Sequence, residues 1–229
     1  MFDARSAQRR YFGGPAAFAI TTDVAIFTVK GSELAVLLVR RDHPPFRGQW
    51  ALPGGLLGGH EAPDDGARRV LAEKTGLEGV YLEQLYTFGQ PDRDPRGQVV
   101  SIGYFALVPC SCTEPWRSEL GEIAWQATRN LPELAFDHAD IITMARQRLA
   151  AKLGYSTIAL QLMPRRFTLG QLQAVYETIL GESLDKRNFR KRFQSLGCIE
   201  ATDEMYRPGG QRPARLYRRC QSDRVQFIK

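Results

Sequence analysis

The stretch that most constrains the fold is "GGLLGGHEAPDDGARRVLAEKTGL", residues 54–77. Its glycines predict an irregular loop, and Pro63, Asp64 and Asp65 are typical of the first turn of a helix. A run with helical periodicity follows and ends at Gly76, because glycine is common just beyond helix C-termini. The sequence therefore predicts a helix directly after a glycine-rich loop.

The residues around this loop and helix predict a body of mixed strands and helices. Four segments predict strands, from β-branched content or apolar runs, and the first two of them pair: 19–30, 34–41, 99–110 and 122–127. The prolines and glycines of residues 44–61 make that stretch loop-like. Residues 136–154 carry apolar side chains at helical spacing and close with Gly154. Strands mixed with two helices indicate an α/β or α+β body.

From Tyr155 onwards the sequence predicts a second, smaller unit. A connector containing Pro164 leads to Thr168 and Gln171, a pair with capping-box spacing at the start of a helix over 169–180. A second helix over 185–197 follows after a short turn, with Asp185 suited to its N-terminus. Two strands around a Gly-Gly turn complete the outline of a winged helix-turn-helix, whose second helix lies in the major groove of DNA.

The second of these two helices has an apolar stripe and cationic faces. Phe189, Phe193 and Leu196 recur at helical spacing and form the stripe. Arginine and lysine neutralise phosphates, and arginine or asparagine pairs with base edges. The candidate DNA-binding residues are Lys186, Arg187, Asn188, Arg190, Lys191 and Arg192 on the helix, and Arg207, Arg212 and Arg215 around the hairpin turn.

The positive charge of the chain is concentrated in this second unit. Residues 1–150 hold 16 Lys and Arg against 18 Asp and Glu, a net charge of −2, whereas residues 151–229 hold 15 against 7, a net charge of +8. A strongly basic segment beside a near-neutral body predicts a separate polyanion-binding unit. Two alternatives stay open: a solvated charged helix face, and an RNA-binding adaptor, which would prefer unpaired strands.

Composition excludes several other classes of protein. The chain is 43% hydrophobic and 24% charged, and no apolar run approaches the roughly 20 residues that span a bilayer. Its N-terminal residues lack the apolar core of a secretory signal, which predicts a cytoplasmic protein. Four cysteines lie at spacings that match neither a zinc site nor a disulfide scaffold, and we interpret them as ordinary thiols: Cys110, Cys112, Cys198 and Cys220.

The glycine-rich loop and its helix resemble a Nudix box. That signature is Gly, five residues, Glu, seven residues, then Arg-Glu-aliphatic-any-Glu-Glu-any-Gly-aliphatic. Two positions depart from it, because Val70 and Lys74 stand where active members have metal-holding glutamates. The resemblance therefore implies a Nudix fold without the usual hydrolysis. The matching residues are Gly55, Glu61, Arg69, Leu71, Glu73, Gly76 and Leu77.

A degenerate Nudix domain followed by a winged helix is similar to the Nudix-related transcriptional regulators, the NrtR family. The resemblance implies a Nudix α/β/α sandwich with a mixed sheet over residues 1–153 and a winged helix-turn-helix over 154–229. It also implies a homodimer joined through the Nudix domains and bound to a palindromic double-stranded DNA operator. The expected function is a bacterial repressor of NAD metabolism or sugar-utilisation genes. Its effector would be ADP-ribose or a related nucleotide sugar, and no metal or cofactor would be required.

The effector is expected in the former catalytic pocket, where arginines and aromatic residues suit a diphosphate and an adenine. The candidate ligand-binding residues are Arg40, Arg41, Trp50, Arg69, Glu73, Arg93 and Arg96. Two have simpler alternatives: Arg69 pairs with Glu61 or Glu73 to brace the loop, and Trp50 belongs to the core. A rival hypothesis is an active Mg-dependent ADP-ribose pyrophosphatase that uses carboxylates outside the box, such as Asp64, Asp65 or Glu122.

Overall fold

The computed structural model describes residues 18–109, 111, 122–207, 213–220 and 225–228. Of the residues singled out above, Cys110, Cys112 and Arg212 lie outside the described ones. Within the described part of the chain, no helix is both long and apolar enough to cross a membrane.

A seven-stranded mixed sheet forms the body of the first unit. Its main path runs in the order β3-β2-β1-β6-β5, with β4 paired to β1 and β7 paired to β2. Strand β1 lies parallel to β6 and antiparallel to β2. The strands are β1 (Ala19–Lys30), β2 (Glu33–Arg40), β3 (Trp50–Ala51), β4 (Gly54–Leu56), β5 (Tyr81–Phe88), β6 (Val99–Leu107) and β7 (Ile123–Ala127).

Helices cover both faces of this sheet, as the period-two alternation of strand side chains requires. Val24 and Ile26 of β1 face helix α1 (Pro63–Thr75), together with Val70 and Leu71 of that helix. Ala25 and Phe27 face helix α2 (His138–Tyr155) on the opposite side. The expected α/β/α sandwich is therefore confirmed, and α1 ends at the predicted Gly76, which has a left-handed backbone.

Four elements were not predicted from the sequence. Among the described residues, strand β5 pairs with β6 alone, has a bulge between Gln84 and Tyr86, and alternates poorly between buried and exposed positions. Residues 44–61, which were predicted to be loop-like, contain the short strands β3 and β4, of two and three residues. The connector contains a 3-10 helix over Ile158–Leu162, whose residues are all buried, so it has no polar face to create a periodic pattern.

The second unit has the two predicted helices with a turn between them and the two predicted strands, whereas the predicted Gly-Gly turn lies outside the described residues. Helix α3 (Leu169–Leu180) starts with the predicted capping box of Thr168 and Gln171 and ends at Gly181. Helix α4 (Lys186–Ser195) is capped by Asp185, whose carboxylate accepts the backbone N–H of Asn188 at 2.7 Å. Strands β8 (Ile199–Tyr206) and β9 (Ala214–Arg219) pair antiparallel as the wing.

Helix α2 belongs to both units. It ends at Tyr155, one residue beyond the glycine predicted to close it. One continuous hydrophobic cluster includes Phe27 of the sheet, Leu149 of α2 and Phe193 of α4. The winged helix is therefore packed directly on the helix that covers one face of the Nudix sheet, and the division at residues 153 and 154 stays a prediction.

Candidate functional site

A cavity of about 250 Å³ opens where the ends of β1 and β2 meet the glycine-rich loop and the start of α2. Four of the predicted ligand residues line it: Arg40, Arg41, Arg93 and Arg96. The rest of its wall includes Asp23, Gly54, Gly55, Leu56, Lys74, Asp94, Phe136 and His138.

A buried carboxylate, Asp23, organises the floor of the cavity. Its Oδ2 accepts the Ser101 hydroxyl at 2.5 Å and lies 3.5 Å from Nη2 of Arg93. Gly54 is required opposite it, because a Cβ at that position would lie 2.0 Å from Asp23 Oδ1. The register of β1 with β4, which pairs these two residues, therefore fixes the position of the carboxylate.

His138 is a neutral, buried imidazole beside Asp23. Its Nδ1 lies 2.8 Å from the backbone nitrogen of Leu52, which donates to it. The ring proton therefore lies on Nε2, which faces Asp23 Oδ1 at 3.6 Å. Burial lowers the pKa of His138 from its ordinary value, against the opposing effects of Asp23 and Asp137.

Arg93 is committed to structural ion pairs. Its side chain is 3% exposed, and its Nε and Nη2 donate to the two oxygens of Asp137 at 2.9 and 2.6 Å. Asp137 directly precedes α2. This arginine thus joins the floor of the cavity to the start of that helix, and its charge is already matched.

The remaining cations of the cavity differ in how far they are neutralised. Arg40 pairs with Glu122 at 2.8 Å, and Arg96 forms two hydrogen bonds with Asp94, at 2.9 and 2.6 Å. Arg41 instead donates to the backbone carbonyls of Pro45 and His43 and lies 4.8 Å from the centre of the Phe136 ring. Lys74 forms no ion pair or hydrogen bond within the described residues.

Phe136 occupies a strained backbone conformation at this site, with a φ of 55°. A positive φ is unusual for a residue with a bulky side chain, and such outliers concentrate at functional sites. Its ring contacts Phe46 edge-on with a centroid distance of 4.9 Å, and the guanidinium groups of Arg41 and Arg96 lie 4.8 and 5.8 Å away. The cavity therefore combines an aromatic surface with cations.

The other predicted ligand residues lie outside the wall of the cavity. Arg69 forms two hydrogen bonds with Glu61, at 2.7 and 2.9 Å, and a longer one with Glu73, at 3.3 Å. These contacts correspond to the bracing alternative. The Arg69 guanidinium lowers the pKa of Glu61 to about 2. Trp50 is half-buried and packs against the hydrophobic cluster around α2.

The Nudix fold implies a divalent metal, but the described residues do not fit one. The Val70 side chain is buried in the core, and a lysine, Lys74, lines the cavity where the box has a glutamate. Both Glu61 and Glu73 are engaged by Arg69. Two carboxylates of the rival hypothesis also have other partners, because Asp64 accepts from Tyr104 and Glu122 pairs with Arg40. No group of three or more potential ligands gathers within the described residues.

The basic face of α4 is exposed, apart from one residue. Arg192 is half-buried and donates from Nη2 to the carbonyl oxygen of Gly154 at 3.0 Å, so it ties α4 to the end of α2. Arg207 and Arg215, at the hairpin, are exposed, whereas Arg212 is outside the described residues. The exposed residues of the helix are Lys186, Arg187, Asn188, Arg190 and Lys191.

Sequence reasoning missed several residues of the cavity. Asp23 carries the one available signal, because it is a carboxylate inside an otherwise apolar and β-branched strand, and buried charges require a partner. Asp94 and Phe136 gave no such signal. Lys74 was noted as a lost glutamate, and the structure adds that this side chain reaches the cavity. His138 is also part of the wall.

The fold and site together define a Nudix-type domain that shares its core with a winged helix carrying an exposed basic helix. Two family comparisons agree with this architecture. The NUDIX domain matches residues 18–145, and the NrtR DNA-binding winged helix domain matches residues 159–219. The chain belongs to the NrtR family of Nudix-related transcriptional regulators.

Among curated relatives, the chain is 39% identical over 203 residues to the ADPR responsive transcriptional repressor NtrR of Acinetobacter baylyi, covering 87% of this chain and 81% of that protein. It is also 36% identical over 119 residues to an ADP-ribose pyrophosphatase of Methanocaldococcus jannaschii, covering 52% and 70%. The second match extends over only about half of this chain, so it does not account for the winged helix.

Two solved structures bear on the two units. Shewanella oneidensis NrtR in complex with a 27mer DNA is 36% identical, with a TM-score of 0.81, over 87% of this chain and 93% of that one. The NUDIX domain of Shewanella oneidensis NrtR in complex with ADP ribose is 34% identical, with a TM-score of 0.54, over 65% and 99%.

Proposed function

We propose that this protein is a transcriptional repressor whose affinity for operator DNA responds to ADP-ribose or a related nucleotide sugar. One observation carries the effector side: the cavity is lined by two cations that form no ion pair within the described residues, Arg41 and Lys74, and by the aromatic ring of Phe136. A nucleoside diphosphate sugar offers a diphosphate to the cations and a base to the aromatic surface. Membership of the family supports control of NAD metabolism or sugar-utilisation genes.

The DNA side of the proposal places α4 in the major groove. Its exposed basic residues would contact phosphates and base edges, with the β8–β9 hairpin alongside as the wing. Residues 1–153 would sense the effector and form a homodimer, and residues 154–229 would bind DNA. Two such units related by a two-fold axis match a palindromic operator.

The repressor senses its effector without hydrolysing it and requires no cofactor for this. A hydrolase of this fold needs carboxylates for a metal, and Val70 and Lys74 remove two of them. The similarity to an archaeal ADP-ribose pyrophosphatase favours a second candidate, a Mg-dependent enzyme with an accessory DNA-binding domain. Release of AMP from ADP-ribose with magnesium or manganese would support that enzyme, and absence of turnover would exclude it.

The repressor is tested by a mobility-shift assay on the DNA upstream of its own gene, with and without ADP-ribose. We expect duplex binding that ADP-ribose weakens, because the effector binds the DNA-free arrangement better and the coupling is reciprocal. If roughly six phosphates are neutralised per dimer, log affinity falls with log salt at a slope near −5. Binding that ignores every nucleotide sugar would contradict the switch, and a preference for unpaired RNA would favour the adaptor.

A further inference from the structure

The cation available to a diphosphate in this cavity differs from the one that the Nudix box supplies in active members. Active members of the superfamily use divalent metals held by the glutamates of the box, whereas here Glu61 and Glu73 are bound by Arg69. No alternative set of three metal-ligating side chains gathers within the described residues. A diphosphate nevertheless requires a cation, because burying its charge without a partner is costly.

Lys74 is the residue placed to supply that cation. It stands where the box has its second adjacent glutamate, in the last turn of α1, and its side chain lines the cavity with Gly54, Gly55 and Leu56 of the loop. Most other cations at the cavity already have carboxylate partners: Arg40 with Glu122, Arg93 with Asp137 and Asp23, and Arg96 with Asp94.

The ammonium of Lys74 has no such partner among the described residues, which distinguishes it from those three arginines. Arg41, which also lines the cavity, likewise donates only to backbone carbonyls. A diphosphate in the cavity would therefore meet two cations that form no ion pair within the described residues. An ammonium is a compact point charge with three donors, so it can serve oxygens of both phosphates.

We propose that Lys74 replaces the metal of the Nudix centre, so that the effector's diphosphate is bound by a protein ammonium and sensing is independent of divalent metal. The substitution exchanges a metal-holding carboxylate for the cation itself. The retained loop and helix would then hold a diphosphate without a metal, with Lys74 in the position of one lost glutamate. This inference rests on the proposed function, because it assumes a diphosphate effector in this cavity.

Titration calorimetry with ADP-ribose on the full-length protein tests the inference. The unaltered protein should bind with the same affinity in EDTA and in magnesium. Lys74→Gln should weaken binding at least about tenfold, a loss of the size expected for a charge-assisted hydrogen bond, whereas Lys74→Arg retains the charge and should stay within about threefold. Lys74→Glu should bind poorly in EDTA and regain affinity in magnesium. Lys30→Gln, an exposed lysine at the end of β1, is the matched control and should bind normally.

The possible failures are distinguishable. If the unaltered protein needs magnesium, or if Lys74→Gln binds ADP-ribose as well as Lys30→Gln does, the metal-replacement inference is wrong while an ADP-ribose-responsive repressor survives. If ADP-ribose binds under neither condition, the proposed effector is wrong and the inference falls with it. Thermal melting and duplex DNA affinity without effector show whether each variant is folded, since neither should change in Lys74→Gln.

Discussion

Arg93 holds both carboxylate oxygens of Asp137, at 2.9 Å from Nε and 2.6 Å from Nη2, where the floor of the cavity meets the start of α2. That helix has 18 residues, about 27 Å at 1.5 Å per residue. At its far end, Arg192 of α4 donates to the carbonyl of Gly154 at 3.0 Å. One helix therefore joins the cavity at one end to the basic helix at the other.

Asp137→Ala should leave the buried Arg93 guanidinium without its main partner. Removing one member of a buried ion pair costs about 3–5 kcal/mol, and the Asp137 side chain makes no capping bond that would add to the loss. We expect a decrease of that size in the free energy of unfolding, measured by urea denaturation. Asp140→Ala removes an exposed carboxylate from the first turn of α2 and should be near neutral. Equal losses in both variants would contradict the role of the pair.

Gly54→Ala should damage the cavity although it adds only one methyl group. The new Cβ would lie 2.0 Å from Asp23 Oδ1 and 3.0 Å from the carbonyl oxygen of Thr22, so the Asp23 carboxylate must move. We expect ADP-ribose affinity, measured by calorimetry, to fall at least about tenfold. Gly59→Ala is the control, because a Cβ there meets nothing within 4 Å. Normal affinity in Gly54→Ala would show that the position of Asp23 is irrelevant to the effector.

His138 should make stability decrease in mild acid. Burial lowers its pKa in the folded protein below the ordinary value of 6.5, so the unfolded chain binds a proton more readily. Its contribution to the free energy of unfolding is full above pH 6.5 and is lost as the pH falls towards the folded pKa. His138→Asn retains an acceptor for Leu52, and its stability should fall less steeply between pH 7 and 5.5, measured by urea denaturation. If the free energy of unfolding of the unaltered protein and of His138→Asn falls in parallel with pH, the prediction is wrong.

Arg190 and Lys191, which are exposed on α4, should contribute to DNA affinity by contacting phosphates. Arg190→Ala and Lys191→Ala should each weaken operator binding and, for a phosphate contact, reduce the salt slope by about 1. A base-edge contact would instead relax sequence preference at one position. Fluorescence anisotropy over a range of salt concentrations measures both effects. Lys30→Ala removes an exposed charge from the Nudix domain and should alter neither, so an equal loss there would indicate only non-specific attraction.

Arg192 should contribute more to the coupling between ADP-ribose binding and DNA binding than to DNA affinity itself. Arg192→Gln removes its contact with Gly154 and loosens α4 from the end of α2. We expect the factor by which ADP-ribose weakens DNA binding to fall towards one. The factor by which DNA weakens ADP-ribose binding should fall equally. Comparing DNA affinity with and without ADP-ribose measures this factor. Gln194→Ala, on the exposed side of the same helix, should leave it unchanged. An undiminished factor in Arg192→Gln would locate the coupling elsewhere.

Local signals were sufficient for the elements whose ends are encoded nearby. The capping box at Thr168 and the left-handed glycines after α1 and α3 lie where the sequence predicts them, because a cap involves residues within one turn. Strand β5 and the 3-10 helix gave no comparable signal. One is a bulged strand with a single partner, and the other is buried on all sides, so neither displays the expected alternation of polar and apolar residues.

The sequence by itself determined the family, the loss of two metal-holding carboxylates and the basic face of α4, because each depends on residue type at a fixed spacing. Only the tertiary structure decided which arginines of the cavity have ion-pair partners, since the partners of Arg93 lie 44 and 70 positions away along the chain. The tertiary structure likewise decided that Lys74 lines the cavity and that the Val70 side chain is buried in the core. Charged residues can be counted from the sequence, but whether each one has an ion-pair partner depends on side chains that only folding brings into contact.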